Sequence, residues 1–383
     1  MNTVPASIPV LRWAAERARL SDTALERSFR KWSLWLSGEA RPTLKQLEDF
    51  ARLTRTPFGY FFLPEPPVLH LPVPDFRTVR DEALAEPSTA LLDTLYLCQQ
   101  RQDWYRDYAR VHGLTRLDFV SSATVEDQPE QVAGEMRQIL GLSVAERRTL
   151  STWTDALRQL VSKAEDAGIL VMASSIVGSN SRRKLDAAEF RGFALVDDRA
   201  PLVFINASDS KAARMISLAH ELAHIWLGES GVSDPEAGRV PKQGVERWCN
   251  RVAAELLMPL DALHEAHEPD APVADEMQRL AHLFKVSSLV ALRRLFDAGF
   301  IDRDTLWLNY RQEVARIRAL DIGGSGGGDY YRTLAARTGK RFAHAVFSST
   351  LEGQTLFRDA FRMLGMRKTS TFYEVARELG VMG

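Results

Sequence analysis

The amino-acid sequence predicts an α+β protein, predominantly helical, in which one short antiparallel sheet interrupts a succession of helices. Apolar residues recur at helical spacing through residues 7–63, 87–150 and 275–300. Runs rich in β-formers, separated by turn residues, lie between residues 169 and 206. Proline- and glycine-rich breaks then divide the chain into blocks. These are a helical bundle at 1–65, an extended proline-rich linker at 66–86, a helical region at 87–150, a small mixed domain at 151–265, a helix pair at 266–320, and a C-terminal region at 321–383 after the run GGSGGG.

In chain order, Val10, Leu11, Ala14 and Ala18 share one helix face, and Ser21 or Asp22 caps the next helix. Gly38 ends a third, and Thr43 starts a fourth, whose apolar face is Leu44, Leu47, Phe50, Ala51 and Leu53. The segment PEPPVLHLPVPDF (64–76) breaks the periodicity. Helical patterns return with Leu91, Leu92, Leu95 and Leu97, and again around 132–140. A helix near 153–166 leads into a strand at 169–173. Two further strands at 190–196 and 202–206 flank the turn Asp197-Asp198-Arg199-Ala200-Pro201, a hairpin pattern. The next helix is capped by Ser208 or Asp209 and stops at Gly228; a loop carrying Gly231, Pro235, Gly238 and Pro241 leads to a helix at about 243–257, closed by Pro259. The hairpin is expected to offer an edge strand beside the helix that ends at Gly228, onto which an extended peptide would add.

The 383 residues are 45% apolar and 26% charged, enough for a sizeable core, and the net charge of −1 excludes a chain that binds nucleic acid by overall charge. Two cysteines far apart, Cys98 and Cys249, argue against a disulfide framework and fit a reducing cytoplasm. No signal-peptide pattern opens the chain and no apolar run is long enough to span a bilayer, so a cytoplasmic location without membrane partners is expected. The GGSGGG run lacks the Lys-Ser/Thr pair of a phosphate-cradling loop, since Asp329-Tyr330 follows it.

The chemistry concentrates in His220-Glu221-Leu222-Ala223-His224, an H-E-x-x-H pattern. Residues four apart lie on one helix face, so both imidazoles reach a single ion, and zinc takes imidazole nitrogens in a tetrahedral shell with one open position. Glu221 stands beside the first ligand, where its carboxylate takes the proton of an attacking water as general base. Glu246, 22 residues after His224 in E-R-W-C-N, supplies a third ligand from the next helix. Asn250, one turn further, holds the second ring nitrogen of a histidine. Glu255, nine residues beyond Glu246, is the alternative third ligand. Cys249 beside the site reads as a small buried hydrophobe, and His264 and His267 as a helix surface; His70, His112, His282 and His344 have no partners at ligand spacing.

The segments MISLAHELAHIWLGESG and VERWCNRVAAELLMP resemble the ImmA/IrrE family of metallopeptidases, whose downstream helix has the pattern E-x-x-x-N-x-x-A-x-x-L-L-M-P. Here that pattern is Glu246, Asn250, Ala253, Leu256, Leu257, Met258 and Pro259. The resemblance implies a zincin-like domain at 151–265, a Zn2+ cofactor, and cleavage of a partner protein, a transcriptional repressor, that de-represses stress or mobile-element genes. Residues 7–63, closed by Phe58-Gly59-Tyr60-Phe61-Phe62-Leu63-Pro64, resemble the Xre-type helix-turn-helix that often precedes such peptidases. That implies a DNA partner, yet the stretch Phe29-Arg30-Lys31-Trp32-Ser33-Leu34-Trp35-Leu36 carries two tryptophans and little of the Gln/Asn/Ser chemistry that reads base edges. With ten Lys/Arg against seven Asp/Glu over 1–65, protein docking or dimerisation stands as its rival. The helix pair at 275–300 has the outline of a DNA-reading unit, although such pairs more often simply pack. The competing reading of the whole chain is a DNA-binding regulator or antitoxin, partnered by a toxin, whose metal site is structural or sensory.

Overall fold

The computed structural model describes residues 3–69, 71–75, 86–233, 244–320 and 330–382. The GGSGGG run, residues 76–85 of the proline-rich linker, His70 and the loop prolines Pro235 and Pro241 lie outside them. The architecture is a predominantly helical α+β fold around one small mixed sheet. The chain forms two compact units, one of residues 1–72 and 79–95, the other of residues 73–78 and 96–383.

In the first unit, α1 (Ile8–Arg17), α2 (Asp22–Ser28), α3 (Trp32–Leu36) and α4 (Leu44–Thr54) enclose an aromatic core. Ser21 caps α2, and Thr43 with Gln46 forms a capping box on α4. Trp32 stacks on Phe50 with centroids 5.2 Å apart, and Trp35 packs edge-on to both. Both tryptophans of the expected recognition stretch are therefore buried core residues, and α3 has only five residues.

The long helix α5 (Thr89–Val111) runs on into the second unit, where α6 (Pro129–Leu140), α7 (Val144–Thr149) and α8 (Trp153–Asp166) precede the sheet. Strands β1 (Leu170–Ser174), β2 (Gly192–Leu195), β3 (Leu202–Asn206) and β4 (Gly231–Ser233) lie in the order β1-β3-β2-β4. β1 is parallel to β3, and β2 is antiparallel to both β3 and β4. The β2–β3 turn is fixed by Asp197, whose carboxylate accepts from the amides of Arg199 and Ala200 and pairs with Arg106 at 2.5 Å.

One expectation is overturned here. The hairpin occupies the middle of the sheet and offers no edge, because β1 pairs with β3 on one side and β4 pairs with β2 on the other. β4 is a three-residue strand with no periodicity to betray it, laid down by the chain's return from the helix that follows β3. Its outer side is also occupied, since Asp75 forms a parallel bridge with Val232 and the Pro74 carbonyl accepts from the Val232 amide at 3.0 Å.

Helix α9 (Lys211–Leu227) packs on β2 and β3 and against α10 (Gly244–Leu257). Ser210, rather than Ser208 or Asp209, is its cap, accepting from the Ala213 amide. α9 is buried all round from Met215 to Trp226. It stops at Gly228, whose positive φ of 80° and close approach to Ser121 leave no room for a side chain. Beyond α11 (Leu260–Ala266) come α12 (Val273–Phe284) and α13 (Ser288–Asp297). α13 buries Val290, Ala291, Leu292, Arg294 and Leu295, so this pair packs into the core and presents no exposed recognition helix. The remaining helices are α14 (Arg303–Leu320), α15 (Tyr330–Thr338), α16 (Lys340–Leu351), α17 (Phe357–Leu364) and α18 (Thr369–Glu378). α15 and α16 pack on β1, and buried Arg101 of α5 donates to the carbonyls of Arg337 and Met363, tying α15 and α17 to the body of the unit. Among the described residues, no helix is long and apolar enough to cross a membrane.

Candidate metal centre

The centre is built by two packed helices. One turn of α9 separates His220 from His224, and α10 brings Glu246 against both in its first turn. His220 Nε2 and His224 Nε2 are 3.1 Å apart, His224 Nε2 lies 3.0 Å from Glu246 Oε1, and His220 Nε2 lies 3.3 Å from Glu246 Oε2. All three residues are buried, and no other group of three such ligands is found among the described residues. Asn250 Oδ1 stands 2.9 Å from His220 Nδ1. An amide oxygen only accepts, so Nδ1 carries the proton and Nε2 keeps its lone pair toward Glu246.

A divalent ion fits this cluster. Donors bonded to one tetrahedral ion at roughly 2.0–2.1 Å stand about 3.3–3.4 Å apart, close to the spacing seen here. The two Nε2 atoms, 3.1 Å apart, are placed to give their lone pairs to one shared cation. Burial holds the His224 imidazole below its ordinary range, hence neutral, as a ligand must be. Burial alone would raise the Glu246 carboxyl, but its interactions with His220 and His224 outweigh it and hold it at about 2.

Glu221 stands beside the triangle, fully buried, with the Ser233 hydroxyl as a polar neighbour. Burial, with the Glu246 charge second, pushes its carboxyl well above the usual carboxylate range, and the Ser233 hydroxyl opposes the shift. Space for it comes from β2. A Cβ at Gly192 would stand 2.7 Å from Glu221 Oε1 and 3.0 Å from the Phe204 carbonyl, so the strand must lack a side chain there.

The structure thus brings His220, His224, Glu246, Glu221 and Asn250 together. Glu255 is excluded from the cluster by a buried ion pair with Arg294 and by the Leu260 amide. Cys249 is buried, and burial, with the charges of Glu246 and Glu221, raises its thiol well above the ordinary value. His267 bonds Glu276 at 3.0 Å and stacks on Phe300, and His264 meets the same ring edge-on, so both serve packing. Gly192 and Ser233 escaped the sequence reading, since one is a lone glycine and the other sits in a three-residue strand.

A mixed sheet covered by two helices that present His, His and Glu to one point, with a second buried carboxyl alongside, defines a metallopeptidase-type domain. Residues 164–296 match the family model of the IrrE N-terminal-like domain, Peptidase_M78, which supports the resemblance to the ImmA/IrrE family over this domain. Over 104 residues it is 32% identical to the radiation response metalloprotease IrrE of Deinococcus radiodurans; the matched stretch is 26% of this chain and 32% of that protein's length. Residues 338–378 match a domain of unknown function, DUF8813.

Proposed function

We propose that the chain is a zinc-dependent regulatory endopeptidase that hydrolyses a peptide bond in a partner protein, a transcriptional repressor. His220, His224 and Glu246 hold the ion, and Asn250 orients His220. A bound zinc would supply Lewis acidity to the scissile carbonyl and to the attacking water. Glu221 takes the proton as the water oxygen bonds the carbonyl carbon, and returns it to the amide nitrogen as the C–N bond breaks. The observation that carries this reading is Glu221 itself. A carboxyl fully buried beside the Glu246 carboxylate costs stability, and a structural or sensory metal site needs only the ligands.

The test compares Glu221→Gln with Glu246→Ala. The first is expected to keep about one zinc per chain and lose roughly 10²–10⁴-fold in cleavage rate; the second is expected to lose the metal. Because the substrate is identified only by class, cleavage is read as new protein N termini in cells carrying the wild-type chain and absent in cells carrying Glu221→Gln. Identical sets of N termini would overturn the peptidase reading. Full zinc retention by Glu246→Ala would overturn the ligand assignment.

A further inference from the structure

The Glu221 carboxylate has one polar side chain beside it that is not part of the His-His-Glu triangle. Ser233 ends β4, where its place is fixed by the ladder: it pairs with Gly192, and its carbonyl accepts from the Arg191 amide at 3.2 Å. Gly192 is the residue whose missing side chain makes room for Glu221, so the same register brings Ser233 to that carboxylate. Ser233 is completely buried, and its hydroxyl lies 3.3 Å from His224 Nε2, the nitrogen that faces the triangle.

A hydroxyl has one proton to donate. The Ser233 hydroxyl stands within reach of two acceptors, His224 Nε2 at 3.3 Å and the Glu221 carboxylate, and it can donate to only one of them at a time. A metal held by His220, His224 and Glu246 consumes the His224 lone pair. The hydroxyl can then no longer donate to it, and the Glu221 carboxylate is the acceptor that remains of the two.

We propose that Ser233 is a positioning residue, whose hydroxyl is committed to the Glu221 carboxylate once a metal takes the His224 nitrogen, and then holds that carboxylate toward the open corner of the cluster. This rests on the peptidase reading of the site and adds to it the residue through which metal occupancy is coupled to the base. Ser233 is not a ligand and exchanges no proton with substrate; it acts through Glu221.

The experiment uses the full chain loaded with Co2+ and acetohydroxamate as probe, a small metal chelator whose hydroxyl donates to a base carboxylate beside the metal. Binding is read from the visible spectrum of the cobalt, independently of any peptide substrate. Ser233→Ala is expected to keep Co2+ affinity within about threefold and to weaken acetohydroxamate about tenfold, the loss of one hydrogen bond to a charged group. Glu221→Gln should weaken it by at least as much. The double variant should be no weaker than Glu221→Gln alone, because a residue that acts through another is non-additive with it. Additive losses, or a Ser233→Ala affinity equal to wild type while Glu221→Gln loses binding, would overturn the proposal. Loss of Co2+ by Ser233→Ala would also overturn it, by making Ser233 a ligand. Failure of the wild-type chain to bind Co2+, or indifference of the probe to Glu221→Gln, would instead count against the peptidase reading on which the proposal stands.

Discussion

A histidine gives one nitrogen to a metal only when something holds the proton on the other. In this centre Asn250 does so for His220, from one turn beyond Glu246 on the same helix. Asn250→Ala is expected to keep the fold and lower zinc affinity about 10–100-fold, measured by competition with a chromophoric chelator. Unchanged affinity would show that Asn250 does not orient the ligand. This arrangement was legible in the sequence because both helices encode it locally: His220 and His224 are four apart, as are Glu246 and Asn250, and four residues close one helical turn. Gly192 and Ser233 were not legible. Their meaning lies in a strand register between residues 41 positions apart, and neither carries a side-chain type that signals a site. Glu255 shows the converse, an acidic residue at helical spacing that a distant arginine, Arg294, claims for packing.

At the scale of elements, the sequence reported what each segment is more reliably than where it goes. The spans of α8 and β3 follow from apolar periodicity, turn residues and caps. Sheet order does not, because pairing is a long-range choice; the hairpin was recognisable while its burial between β1 and β4 was hidden. The contact between α8 and α16 is another long-range feature with a testable consequence. Glu165, near the end of α8, accepts from the Arg341 amide in the first turn of α16 at 3.0 Å. Burial raises its carboxyl to about 7, although the amides of Arg341 and Lys340 act against the shift. Below pH 4.5 the group is protonated whether the chain is folded or not. Between about 4.5 and 7 the unfolded chain releases the proton while the folded one keeps it, so this group's contribution to stability falls as pH rises. Relative to Glu165→Gln, the wild-type chain should lose on the order of 3 kcal/mol across that window, seen as a falling urea midpoint. Parallel curves for the two proteins would show that Glu165 ionises normally.

For the molecule as a whole, the question is which unit carries the cellular output. The first unit is a set of short helices in which Trp32 and Trp35 of α3 are spent on the core, leaving Ser33 and Leu34 outward with exposed Arg30 and Lys31 just before them. The second unit contains the candidate metal centre and the segment that matches the IrrE N-terminal-like family model. A peptidase and a DNA-binding regulator answer differently to two substitutions. Glu221→Gln removes the base while leaving every exposed side chain in place, because Glu221 is completely buried. Arg30→Ala with Lys31→Ala leaves the metal centre untouched and removes two exposed cations. If both touch phosphate, the slope of log affinity against log salt should flatten by about 1.8 in a DNA-binding assay, since each neutralised phosphate contributes about 0.9. We expect Glu221→Gln to abolish the output in cells and the paired variant to have a smaller effect, whether or not the first unit touches DNA. Base catalysis multiplies every turnover by roughly 10²–10⁴, whereas two exposed charges change an affinity that other contacts also support. Full cellular activity of Glu221→Gln together with an inactive paired variant would reverse the assignment, and the metal centre would then be a scaffold for a regulator that works through its first unit.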